Sequence, residues 1–213
     1  MLRKTGIRFD WSFSHDYEVE ETEYVPAGDA GLIDLVGPAP KPRFFPANIE
    51  SDLERLTAVV LRIKPDNAAA WPGVFACGFD SPFVVDAVFS TPDPEKVCII
   101  AGGYSYIFST ENPRMWDRLP VVPVVHAHPV PESDMLVFGD FTRLAAYGST
   151  GLLWVTERLT WDGIKISGIA DGVVRGYGWD ATTGRDLEFA VNLSTGEHTG
   201  GAAPRTRQLP QQQ

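Results

Sequence analysis

Apolar and polar positions alternate with a period of two along much of the chain, and turn residues interrupt the alternation at short intervals. In "GIRFDWSFSHDYEVEETEYV", Ile7, Phe9, Trp11 and Phe13 alternate with Arg8, Asp10 and Ser12, the pattern of a half-buried strand. Tyr17 and Val19 alternate in the same way with Asp16, Glu18 and Glu20, which predicts a second strand. From Phe83 onward, apolar runs of about five to eight residues recur between Pro, Gly, Asp and Ser-Thr-Gly turns. "WDATTGRDLEFAVNLSTG" predicts a hairpin whose polar connection is Ala181 to Gly184. Two stretches break the rhythm. "GPAPKPRFFP" carries Pro38, Pro40, Pro42 and Pro46, which cannot donate backbone hydrogen bonds and so mark a connector. In "NIESDLERLTAVVLRI", Ser51 and Glu54 have the spacing of a capping box and predict a short helix, while the β-branched "TAVVLRI" fits a strand equally well. Residues 50–64 stay open between the two.

An internal repeat organises the second half. Val88–Phe108, "VFSTPDPEKVCIIAGGYSYIF", aligns without a gap on Val125–Ala145, "VHAHPVPESDMLVFGDFTRLA", at an offset of 125 − 88 = 37. Pro92 falls on Pro129, Pro94 on Pro131, Glu95 on Glu132 and Gly102 on Gly139. A third copy is weaker: "AAYGSTG" at Ala145 matches "AVNLSTG" at Ala190, an offset of 190 − 145 = 45 that places an insertion at the WDATTG hairpin. A small sheet cannot bury both of its faces alone, so such units must stack on their neighbours.

A repeat of this length with short antiparallel strands resembles the blade of a β-propeller, over roughly Val84 to Gly201. The Gly-His and Trp-Asp signatures of WD repeats are not reproduced copy by copy; Trp161-Asp162 and Trp179-Asp180 occur, but not at matching blade ends. The Gly139–Gly163 stretch is similar to bacterial proteins of unknown function, a resemblance that implies no activity. The expected fold is all-β: stacked blade-like antiparallel sheets forming a partial or small propeller-like array, with a two-sheet β-sandwich as the alternative. The expected organisation is one all-β unit over 1–199, comprising acidic strands in 1–36, the Pro-rich connector in 37–50 and blade-like repeats in 84–199. A flexible tail is expected in 200–213, which is poor in large apolar residues.

Charge narrows the functional classes. The net charge of −10 disfavours nucleic acid and anionic membrane and suits a basic protein partner. Much of it lies in one place: Asp16, Glu18, Glu20, Glu21, Glu23, Asp29 and Asp34 follow one another with no Lys or Arg between them. Such a run is either a solvated strand face or a docking surface. No run approaches the length of a membrane span, the N-terminus lacks the apolar stretch of a signal peptide, and a cytoplasmic location is expected. Cys77 and Cys98 sit among apolar neighbours as buried free thiols.

The candidate chemistry is thin. In "VHAHP", His126 and His128 would point to one face of a strand as metal ligands do, with Asp134 and Asp140 as possible companions. Two placed ligands fall short of a site, and the repeat puts His126 in the slot of Phe89 and His128 in that of Thr91. Ser105 follows two glycines but has no base near it in the sequence, and Gly102-Gly103 lacks the rest of a phosphate loop. Glu157 and Glu188 could pair for sugar chemistry only if the fold brought them together. Trp154, Trp161 and Trp179 are core or packing residues by default; exposed with Tyr104, Tyr147 or Tyr177, they would form an interface anchor. The reading is a non-catalytic protein-interaction module with no cofactor and no resident metal. Its candidate contacts are Asp16, Glu18, Glu20, Glu21, Glu23, Trp154, Trp161 and Trp179, and its partner is a protein, possibly basic. The alternative is a hydrolase or metal-dependent enzyme with a loop-built site near His126 and His128.

Overall fold

The computed structural model describes residues 2–23, 43–46, 57–114 and 116–202. The helix signal at Ser51–Glu54, the prolines Pro38, Pro40 and Pro42, the carboxylates Asp29 and Asp34, and residues 203–213 of the expected tail lie outside the described residues.

The described residues are all-β and form four sheets. The first contains β1 (Leu2–Lys4), β3 (Tyr17–Glu21), β4 (Arg43–Phe45), β5 (Thr57–Pro65) and β6 (Trp71–Ala76), in the order β1-β5-β6-β4 with β3 also on β5. The second runs β10 (Trp116–Asp117), β9 (Tyr104–Ser109), β8 (Lys96–Ala101), β7 (Ala87–Ser90), β2 (Arg8–Asp10). The third is a meander of β11 (His126–Val130), β12 (Met135–Gly139), β13 (Leu144–Gly148) and β14 (Gly151–Val155). The fourth is a meander of β15 (Asp162–Ala170), β16 (Val173–Asp180), β17 (Arg185–Asn192) and β18 (His198–Gly200). The open choice at 50–64 resolves to a strand over its described part, where the β-branched run forms β5. The strand predicted over Ile7–Phe13 is shorter, Arg8–Asp10, and pairs parallel with β7. Ala181–Gly184 makes the β16–β17 turn, as the hairpin signal predicts.

Three apolar layers stack the sheets in chain order. Val59, Leu61, Ile63 and Phe75 of the first sheet meet Val97, Ile99 and Tyr106 of the second. Phe89, Cys98, Ile100 and Ile107 of the second meet Leu136, Phe138, Ala145 and Tyr147 of the third. Met135, Val137 and Ala146 of the third meet Ile164, Val174, Phe189 and Val191 of the fourth. Side chains alternate across a strand, so a strand buried on both faces must be apolar at every position. β8 from Val97 on ("VCIIA") and β12 ("MLVFG") obey this: β8 sends Val97, Ile99 and Ala101 one way and Cys98 and Ile100 the other. Truncating any of the wholly buried Ile99, Ile100 or Leu136 to Ala costs about 2–5 kcal/mol by cavity formation. In β16, "VVRGYGWD", burial instead alternates strictly after the first residue. That is the signature of a sheet with one covered face, and β16 belongs to the sheet that ends the stack. The outward face of the first sheet is buried at Ala58, Val60, Val74 and Ala76, which form a fourth cluster, and exposed at Glu18, Glu20 and Arg62.

Strand pairing corrects the repeat alignment. β7 and β11 begin at Ala87 and His126, and β8 and β12 at Lys96 and Met135, so corresponding starts are 126 − 87 = 39 and 135 − 96 = 39 residues apart. Gly102 and Gly139 therefore do not hold equivalent places. Gly102 and Gly103 form the β8–β9 turn with φ of +53° and +74°, whereas Gly139 is the last residue of β12, opposite His126 and Leu144. A slip of two residues preserves which face each side chain takes, so the hydrophobic pattern matches in either alignment. Ser149-Thr150 and Ser194-Thr195 each lie in the turn from the third to the fourth strand of their sheets.

Candidate functional site

The open face of the fourth sheet is built by register. Cross-strand pairing sets Lys165, Tyr177 and Glu188 in one row over β15, β16 and β17. It sets Asp162, Trp179 and Asp186 in the next row, and Arg175, Ala190 and Thr199 in the row on the other side of Tyr177. Arg175, Tyr177 and Trp179 are at i, i+2 and i+4 of β16 and so share the face away from the core. Trp179 is 44% exposed and Tyr177 37% exposed, high values for rings in the middle of a sheet. Lys165 stands 5.4 Å from the Tyr177 ring centroid and pairs with Asp186 at 3.1 Å, which braces the centre of the face. A depression of about 410 Å³ opens beside Tyr177, lined among others by Ser167, Arg175, Glu188, Ala190 and Thr199. The turn below the face is closed by side-chain hydrogen bonds. Asp180 accepts hydrogen bonds from the hydroxyls and the backbone N–H groups of Thr182 and Thr183. Those donors, the hydroxyls first, hold its carboxyl at a pKa of about 2.

The tryptophans predicted as contacts divide by role. Trp179 is on the open face. Trp154 is half-buried and donates its indole N–H to the Leu193 carbonyl at 2.7 Å, packing over Gly196, whose φ of +73° and missing Cβ admit the ring. It therefore staples the third sheet to the fourth. Trp161 is half-buried under Arg158, whose guanidinium stands 5.8 Å over the ring and donates to the Trp161 carbonyl. Of the tyrosines, Tyr147 is buried with its hydroxyl toward Asp117, Tyr104 is half-buried under Arg118, and Tyr177 is exposed beside Trp179.

The acidic run has cations opposite it in space, though none within it in sequence. β3 pairs antiparallel with β5, placing Glu18 across from Lys64 and Glu20 across from Arg62. Lys64 Nζ lies 3.4 Å from Glu18 and 3.1 Å from Glu20, and Arg62 lies 3.9 Å from Glu20. Glu21 accepts from the Ile7 N–H at 2.9 Å. Asp16 and Glu23 are exposed.

The catalytic candidates are not brought together. His126 and His128 stack at 6.1 Å between ring centroids, and His126 Nε2 lies 2.8 Å from the Ile164 carbonyl, so His126 braces the third sheet against the fourth. Burial, then His126 and Arg8, push the His128 pKa below its usual value. Asp134 sits in the β11–β12 turn at φ +53°, at the other end of the strand pair from His126. Asp140 accepts from the Thr142 and Arg143 N–H groups at 2.7 Å each, a local turn brace. Among the described residues no three His, Cys, Asp or Glu side chains converge to hold a metal. Ser105 is buried and its Oγ accepts from the Leu119 N–H at 2.9 Å. Glu157 and Glu188 line different depressions. Lys165, Arg175 and Asp186, which sequence reasoning had not singled out, carried one available signal: the polar–apolar alternation of β16 and its polar partner positions on β15 and β17.

Fold and site together define the class: an all-β chain of stacked sheets that ends on an open face bearing aromatic residues and charges of both signs. No family model matches the chain, and no curated protein matches it. A solved structure, BBS1N in complex with ARL6DN soaked with mercury, is similar over 69% of this chain and 48% of that one, at 18% identity and a TM-score of 0.34. This chain thus spans about half of that one, and a likeness of this size does not bear on what the chain does.

Proposed function

We propose that the chain is a non-catalytic protein-interaction module, an open propeller-like stack whose last sheet docks a protein partner through Arg175, Tyr177 and Trp179. The observation that carries this reading is the exposure of Tyr177 and Trp179 on a mid-sheet face, whereas both faces of β8 and β12 in the preceding sheets are buried. Trp, Tyr and Arg are the side chains that most often dominate binding energy, because they cover large areas and lose little rotamer freedom. Charges of both signs rim the rings, so the partner is selected by charge pattern and not by net charge. The net charge of −10 supports a protein over nucleic acid as that partner. The acidic strand β3 is the weaker surface, since Lys64 and Arg62 already occupy Glu18 and Glu20.

The test is site-specific photocrosslinking in the native cell, with the photoreactive residue at position 179 in one strain and at position 18 in another. A discrete protein adduct from position 179 that is lost when Tyr177→Ser is added supports the reading. Adducts from position 18 alone, or none from 179, would move the function to β3 or refute docking by the sheet.

A further inference from the structure

Resting on that reading, we infer that the occupant of the open face is a second copy of this chain, related by a two-fold axis lying in the interface plane. The ends of the stack restrict how copies can meet. Head-to-tail stacking needs a donor face on one copy and an open acceptor face at the opposite end of the next. The outward face of the first sheet differs in kind: Ala58, Val60, Val74 and Ala76 are buried there, and Glu18, Glu20, Arg62 and Lys64 form an ion-paired charged patch beside them. A contact of the fourth sheet's face with the same face of another copy is isologous, closes at two chains and does not propagate.

One oppositely charged pair of the face is placed for a two-fold contact. Lys165 is committed to Asp186 at 3.1 Å, whereas Arg175 and Glu188 have no ion-pair partner among the described residues. These two lie on a diagonal of adjacent rows, since Arg175 pairs with Ala190 and Tyr177 with Glu188. An in-plane axis bisecting the line between them exchanges their positions. It sets Arg175 of each copy over Glu188 of the other and brings the two Tyr177 rings near the axis. Two charge-assisted pairs form at once, flanking an aromatic centre, which is the anatomy of a specific interface. The depression of about 410 Å³ between Arg175 and Glu188 leaves room for a side chain of the second copy.

The experiment is sedimentation velocity on the full chain over a wide concentration range, with two charge reversals, Arg175→Glu and Glu188→Arg. Both sites are exposed, and thermal melts establish that each variant is folded. The wild type is expected to dimerise. Each reversal alone places like charges face to face twice and weakens the dimer by more than about tenfold. An equimolar mixture of the two variants restores both attractive pairs and reforms a 1:1 heterodimer. If either reversal fails to fold, Arg175→Gln and Glu188→Gln replace it and should each weaken the wild-type dimer. A wild type that stays monomeric, single variants that dimerise like it, or folded variants that do not associate on mixing would each overturn the second copy as occupant. A monomeric wild type that still yields a heterologous adduct from position 179 would leave the docking face standing while removing this inference.

Discussion

Trp154 and Leu193 lie 39 residues apart in the chain and are joined by a 2.7 Å hydrogen bond from the indole N–H to the backbone carbonyl. The same relationship holds at the start of the stack, where Trp71 donates to the Thr110 carbonyl at 2.9 Å, again across 39 residues. Tyr106 reaches back to the Ala76 carbonyl and Tyr147 to the Asp117 carboxylate, each across 30 residues. Tyr17 donates to the Lys96 carbonyl at 2.8 Å. Each joint between neighbouring sheets thus has an aromatic side chain whose ring fills the apolar layer and whose polar tip reaches the next sheet. Hydrophobic contact alone is non-directional, and these tips give it a register.

Trp154→Phe keeps most of the ring volume and removes the donor to Leu193. We expect a loss of about 1–2 kcal/mol in denaturant unfolding with little change in slope, the cost of one hydrogen bond to a carbonyl at a sheet joint. A loss indistinguishable from zero would mean that the Trp154 tip contributes nothing beyond packing.

Asp180 imposes an acid limit on the β16–β17 turn. Its folded pKa, about 2, is below that of an unfolded carboxyl, so the folded state favours the charged form. The stabilisation is fully present above the unfolded carboxyl range, from about pH 4 upward, and is lost as pH falls through about 2. Asp180→Asn should lower the thermal midpoint at neutral pH and flatten the decline of stability between pH 4 and pH 2 relative to wild type. Parallel declines in the two proteins would show that the Thr182 and Thr183 hydroxyls are not what holds the carboxylate.

The two thiols should separate by rate. Burial, then Asp86, push the Cys77 thiol up to about 11, and complete burial pushes Cys98 higher still. Because the thiolate is the nucleophile, a disulfide reagent at neutral pH should modify Cys77 slowly and Cys98 only on unfolding. Fast labelling of both in the native protein would contradict the buried position of β8.

For the acidic strand, Glu18→Gln with Glu20→Gln removes three exposed ion-pair contacts to Lys64 and Arg62. Exposed pairs contribute little, so the melting temperature should barely move. The exposed surface around Lys64 should become less negative, readable as an earlier elution from an anion exchanger. A large destabilisation would show that β3 is held by these charges rather than by its backbone ladder and the buried Tyr17.

Much of this architecture was legible in the apolar pattern, for a physical reason. Unbroken runs such as "VCIIA" and "MLVFG" occur where both faces of a strand are covered, and the alternation in "VVRGYGWD" occurs where one is open. The exact repeat register was not legible, because side-chain direction repeats every two residues and a slip from 39 to 37 leaves every face unchanged. The site was legible in part. Trp179 stood out as an aromatic, but exposure depends on which sheet ends the stack, and nothing local distinguishes it from Trp154. The run from Asp16 looked unopposed because Lys64 and Arg62 lie more than forty residues away and meet it only through the pairing of β3 with β5.

The central claim, that the β15–β18 face is covered when the protein works, is tested most directly by hydroxyl-radical footprinting of the chain in its native cell against the purified protein at high dilution. Trp11 and Phe83, 38% and 71% exposed on other surfaces, serve as internal references. The account predicts that Tyr177 and Trp179 are oxidised several-fold more slowly in the cell than at dilution, while Trp11 and Phe83 keep their rates. Equal protection factors at all four residues would contradict it.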